Sequence, residues 1–126
     1  MARILVVDDD PDLVESVAKI LEARGHTVLT AYGGIEGLEM AKNEAPDAMV
    51  LDVMMPDKNG YEVCSELKAD PACREIPILL LTAVVSHIPT TSYTSRMGME
   101  TEADDYVDKP VEPDELVSLV ERLLEH

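Results

Sequence analysis

Apolar runs recur along the chain, each closed by a polar or acidic residue and followed by a stretch with helical spacing. Ile4-Leu5-Val6-Val7 has no polar interruption, as in a strand covered on both faces, and Asp8-Asp9-Asp10 ends it. Pro11 suits the first position of a helix with Asp10 as its N-cap. Val14, Val17, Ala18 and Leu21, widened by Leu13 and Ile20, then recur on one helical face until Gly25. Thr27 to Ala31, rich in β-branched residues, predicts a second strand. Gly33-Gly34 breaks it, and Ile35, Leu38 and Ala41 mark a second helix ending near Asn43. Ala48 to Leu51 predicts a third strand running into Asp52, and Pro56 cannot extend the ladder. Asp57 to Gly60 has turn chemistry leading into a third helix, carried by Tyr61, Cys64 and Leu67 and stopping before Asp70-Pro71.

Ile76 to Leu81 predicts a fourth strand, with Pro77 tolerable near its start and Thr82-Ala83 at its end. From Val84 to Thr101 the apolar stripe is diluted by serine and threonine. Pro89 opens a fourth helix there behind a long lead-in loop, with Tyr93 and Met97 inward. Asp104 to Val107 is a weak strand and therefore an edge, ended by Lys109-Pro110. Pro113 opens a last helix with Leu116, Leu119, Val120 and Leu123 on one face. Five strands alternating with five helices predict an α/β, doubly wound, five-stranded parallel sheet with helices on both faces. At 126 residues, 1–126 reads as one domain. Ligands of such sheets bind outside the C-terminal ends of the strands.

Charge narrows the functions. The formal net charge is −16, which repels nucleic acid and anionic lipid and suits cations and basic partner surfaces. No apolar run is long enough to cross a membrane and no leader precedes the first strand, so a cytoplasmic protein is expected. Cys64 and Cys73, with no histidine at ligand spacing, read as reduced thiols. His26 and His87 have no partner at useful spacing and read as solvent-facing. Leu124-Glu125-His126 reads equally as a helix end or as the start of a tag, in which case the natural chain continues.

The predicted strand ends bring chemistry together. Strand one ends in Asp8 and Asp9, strand three in Asp52, strand four in Thr82 and strand five in Lys109. Asp52 alone could be a metal ligand, a nucleophile or a helix cap. Three carboxylates at one edge imply a hard divalent cation. Mg2+ fits best, because it takes one or two carboxylates, keeps waters and then meets phosphate oxygens. A metal, a hydroxyl and a lysine around one carboxylate make a receptor for a phosphoryl group. Alone, Thr82 would be an ordinary strand-end threonine, Tyr106 an ordinary edge-strand aromatic and Lys109 a surface lysine. Asp10, Asp104 and Asp105 read as caps or solvated charges.

Together these segments resemble the response-regulator receiver domain of two-component signalling, of the chemotaxis-regulator type. The resemblance runs the full length: Ile4 to Asp10, Leu51 to Pro56 with Asn59-Gly60, Leu81-Thr82-Ala83, and Asp104-Asp105-Tyr106 through Lys109-Pro110. It implies a flavodoxin-like (βα)5 fold with strand order 2-1-3-4-5. It implies that Asp52 accepts a phosphoryl group from a sensor histidine kinase or phosphotransfer protein. Asp9, Asp52 and the backbone carbonyl of Met54 would bind Mg2+, aided by Asp8, and Thr82 and Lys109 would contact the phosphoryl oxygens. Tyr106 would move with Thr82 and remodel the face of helix four, strand five and helix five, signalling to an output domain or partner protein, or through a homodimer formed on phosphorylation.

Two departures fall together. Glu102 stands where the family usually has glycine, and the separation from Thr82 to Lys109 is longer than usual. Met54 and Val84 are apolar where the family often carries polar groups, which implies slow self-dephosphorylation. Two other functions remain in view: a phosphatase of the haloacid-dehalogenase type, with Asp8 as nucleophile, and a pseudo-receiver that only binds. Asp12 stands where that phosphatase family has Thr or Val, and the complete acidic, hydroxyl and lysine set argues against the pseudo-receiver.

Overall fold

All five predicted strands form and pair in parallel. The computed structural model describes residues 2–82, 104–108 and 112–125. Within it β1 (Arg3–Val7), β2 (Thr27–Ala31), β3 (Ala48–Asp52), β4 (Ile78–Thr82) and β5 (Asp105–Asp108) form one sheet in the order β2-β1-β3-β4-β5. Helices α1 (Pro11–Ala23), α2 (Gly34–Glu44), α3 (Gly60–Ala69) and a C-terminal helix (Pro113–Leu124) connect and cover the strands. This is the doubly wound, flavodoxin-like architecture. The fourth helix expected between Val84 and Thr101 falls outside the described residues.

The apolar runs build two cores because alternate residues of each buried strand face opposite ways. Leu5, Val7, Met49, Leu51, Ile78 and Leu80 pack with Leu38, Ala41, Val63, Cys64 and Leu67 of α2 and α3. Ile4, Val6, Ala48, Val50, Leu79 and Leu81 pack with α1 and with Leu116, Val117, Val120 and Leu123 of the C-terminal helix. Burying each valine, leucine, isoleucine or methionine side chain of these cores contributes roughly 1.5–3 kcal/mol before chain entropy is counted. β3 is buried at every position, so its last residue, Asp52, is delivered to the site by a fully enclosed strand.

Local chemistry sets the helix ends. Asp10 caps α1, its carboxylate accepting from Asp12 N at 3.0 Å, and Gly25 takes φ +92° after the helix. At α3 the Asn59 side chain accepts from Glu62 N at 2.9 Å while Glu62 reaches back to Asn59 N at 3.1 Å, a reciprocal capping box. Cys64 and Cys73 are both buried thiols, and burial raises the pKa of Cys73.

Four expectations are corrected. Ile35 is 48% exposed, because the inward stripe of α2 is Gly34, Gly37, Leu38 and Ala41. A Cβ on Gly37 would lie 2.7 Å from Val7 Cγ1, so that stripe includes a glycine against β1. The fourth strand begins at Ile78 and not at Ile76, since Pro77 has no N–H for the ladder; Ile76 is nevertheless buried. His26 is not solvent-facing: its ring is 10% exposed, with Nδ1 accepting from Ala2 N at 3.2 Å and Nε2 3.1 Å from Glu121. Asp104 is not simply solvated, because its carboxylate accepts from Ile78 N at 2.8 Å and Lys68 Nζ at 3.3 Å, clasping the start of β5 to β4. His87 lies outside the described residues. Among those described, no helix is long and apolar enough to cross a membrane.

Candidate functional site

The acidic site follows from strand register. Val7 of β1 is opposite Leu51 of β3, so the residues one step further, Asp8 and Asp52, emerge side by side at the C-terminal edge of the sheet. Asp8 is 0% and Asp52 1% exposed, while Asp9 faces solvent. Asp8 N donates to Ala31 O at 3.2 Å, and Asp8 Oδ1 accepts from Asp10 N at 3.0 Å, which braces the turn between β1 and α1. One carboxylate oxygen from each of Asp8, Asp9 and Asp52 lies within 4.8 Å of the others. Hard oxygen donors of like charge at that spacing fit a small divalent cation, which offsets their mutual repulsion.

β4 adds the hydroxyl. Leu81 is opposite Asp52, so Thr82 stands one residue past it on the neighbouring strand, 7% exposed. Its Oγ1 donates to Asp108 Oδ1 and lies 3.4 Å from Val107 O. Tyr106, half a strand back on β5, is 39% exposed, and partial burial raises its pKa. Lys109 lies outside the described residues.

The loop after Asp52 is held from three sides. Val53 N donates to Leu81 O at 3.0 Å and Gly60 N donates to Val53 O at 2.9 Å. A Cβ on Gly60 would sit 2.4 Å from Asp52 O, so only glycine lets α3 begin against the end of β3. Asp57 reaches α2, accepting from Gly34 N at 3.0 Å and Ile35 N at 3.1 Å. Those backbone bonds, Ile35 first, hold its carboxyl below its ordinary value. Met54, two residues past Asp52 on this loop, is an exposed apolar side chain, 64% accessible.

A carboxylate at the end of a buried parallel strand, flanked by two others and by a strand-end hydroxyl, is the arrangement on which the sequence resemblance rested. The family model of the response regulator receiver domain matches residues 4–121. This chain belongs to the receiver-domain family. It is 44% identical over 123 residues to response regulator MprA of Mycobacterium ulcerans, covering 97% of this chain and 50% of that protein. Among solved structures it resembles the signal receiver domain of a signal transduction histidine kinase from Syntrophus aciditrophicus (TM-score 0.88, 34% identity, 99% of this chain and 91% of that one). It also resembles response regulator DrrB of Thermotoga maritima, an OmpR/PhoB homologue (TM-score 0.82, 38% identity, 99% of this chain and 53% of that one). The chain therefore spans about half the length of the curated relatives it matches. Receiver domains are regulatory, their general function is phosphorylation-based two-component signalling, and Mg2+ is the family's usual metal.

Residue order predicts Asp8, Asp9, Asp52, Thr82 and Lys109 at one sheet edge, and the receiver structure brings the first four there, Lys109 lying outside the described residues. The sequence pattern singles out neither Asp57 nor Asp108. Asp57 reads only as turn chemistry, and nothing in its spacing points to α2. Asp108 meets Thr82 through the β4–β5 register, which residue order alone does not give.

Proposed function

We propose that this receiver accepts a phosphoryl group on Asp52 from a sensor histidine kinase or phosphotransfer protein and converts it into a change at the β4–β5 edge. The observation that carries this reading is the placement of buried Asp52 within reach of the oxygens of Asp8 and Asp9, with Thr82 on the adjoining strand. An Asp52 oxygen attacks the phosphorus of a phosphohistidine; the new P–O bond forms as the P–N bond breaks, and the imidazole leaves with the electron pair. Mg2+, held by Asp8, Asp9, Asp52 and the Met54 carbonyl, supplies neutralising charge when bound. Thr82 donates its hydroxyl to a phosphoryl oxygen, and Lys109 contributes its ammonium charge. Tyr106, now half-exposed, packs inward as Thr82 moves.

Residues 1–126 form the receiver, and an output domain or a partner protein reads its state, through a homodimer of phosphorylated chains or by docking to the altered face. The half-length match to MprA and DrrB supports an output domain in the natural protein. The domain itself makes no contact with nucleic acid, in keeping with its charge of −16. Intact-mass analysis with Mg2+ and acetyl phosphate tests the assignment: a Mg2+-dependent adduct on wild type, absent from Asp52→Asn, is expected. An adduct that survives the substitution moves the nucleophile elsewhere, to Asp8 first.

A further inference from the structure

The Thr82 hydroxyl has one proton to donate. Thr82 and Asp108 are register partners at the ends of β4 and β5, and side chains of such partners in parallel strands share a face of the sheet. Thr82 Oγ1 gives its close hydrogen bond to Asp108 Oδ1, while the Val107 carbonyl at 3.4 Å is a longer and weaker alternative. Hydroxyl-to-carboxylate bonds are among the stronger ones, because the acceptor is charged. Thr82 is nearly buried, whereas Asp108 is exposed on the edge strand.

We propose that Asp108 is a positioning residue that competes with the phosphoryl group for the Thr82 hydroxyl and so sets the threshold of the switch. This rests on the assignment of Asp52 as acceptor and Thr82 as phosphoryl contact. To donate to a phosphoryl oxygen on Asp52, Thr82 must give up Asp108, since one proton cannot serve both anions. The released carboxylate turns to water at the exposed edge, so leaving costs little, and two anionic acceptors of comparable strength make the exchange nearly balanced. A nearly balanced exchange is what a two-state element needs if a ligand is to shift it. Loss of the bond also unties the ends of β4 and β5, and β5 carries Tyr106. Position 108 thereby tunes how readily β5 follows Thr82, independently of the acidic site.

The test is a double-substitution cycle read by beryllofluoride affinity with Mg2+, followed by 19F NMR, with the thermal midpoint of every protein recorded. The proteins are wild type, Asp108→Ala, Thr82→Ala and the double variant. Asp108→Ala is expected to bind about three- to tenfold more tightly than wild type, with a midpoint no higher than that of wild type. In the Thr82→Ala background the same substitution is expected to change affinity far less. Equal or weaker binding by Asp108→Ala overturns the proposal. So does a gain that persists undiminished without Thr82, because that gain is only the removal of a negative charge. If wild type itself forms no adduct, the acceptor assignment falls and this proposal with it; an adduct of equal affinity in wild type and Asp108→Ala removes the proposal alone.

Discussion

Asp57 serves a helix that lies far from it in sequence. Gly33, the N-cap of α2, has no side chain to offer, and the Asp57 carboxylate takes the first two helical N–H groups instead. Its pKa lies below the ordinary 3.8, so its contribution to stability is intact above that value and fades as the pH falls through the lower folded-state value. Asp57→Asn is therefore expected to be less stable than wild type at pH 7 in urea unfolding. The two curves should converge in the acid range beneath 3.8, and a constant gap down to full acid unfolding would count against this. Met54 makes a second prediction at this scale. Its exposed apolar side chain cannot orient a water for attack on the acyl phosphate, so Met54→Asn should shorten the half-life of the phosphorylated protein. Val84, the other apolar position expected to act this way, lies outside the described residues. His26 teaches the opposite lesson from the acidic residues. Its partner Glu121, whose pKa is lowered by His26 and Arg24, sits on the C-terminal helix, and no local pattern announces the pair.

The elements meet where there is no room for a side chain. A Cβ on Gly34 would come 2.0 Å from Lys58 O, and one on Gly60 2.4 Å from Asp52 O. The loop from Val53 to Asn59 is therefore pressed between α2 and α3, with Asp57 as its clasp. Gly60→Ala is expected to cost about 1–3 kcal/mol and to slow adduct formation by displacing the end of β3. A variant with normal adduct kinetics and unchanged stability would show that the loop yields freely. The elements are legible wherever the apolar pattern is unambiguous: β1 and β3 as unbroken runs, α1 and the C-terminal helix as clean stripes that follow a proline. The pattern misled by one or two residues where glycine replaced an apolar residue on the inner face, as in α2, or where an apolar residue lay just outside the ladder, as with Ile76. The clasp of β5 by Asp104 and Lys68 has no local pattern to announce it, because the Lys68 ammonium meets three acceptors that lie six or more residues away.

For the molecule as a whole, a charge of −16 works against compaction, and the acidic site concentrates part of it at one edge. Binding of Mg2+ to the folded state alone should stabilise it by mass action, about 1.4 kcal/mol at a concentration ten times Kd. The thermal midpoint should rise by several degrees over potassium chloride of equal ionic strength, and Asp9→Asn should lose that excess. Asp9 is a suitable target because it is exposed and its removal disturbs no core packing. An equal rise in both salts would reduce the effect to general screening.

Residue order alone determined the alternation of strand and helix, hence a parallel sheet, and hence a common edge for Asp8, Asp9, Asp52 and Thr82, because parallel strands all end on the same side. Tertiary structure decided what a period cannot express. Register set Asp108 beside Thr82, packing brought Asp57 to α2 and His26 to Glu121, and glycine contacts set how closely the acceptor loop approaches its neighbours. Hydrophobic periodicity specifies which face of an element is buried. Only the folded chain specifies which distant polar atom meets it.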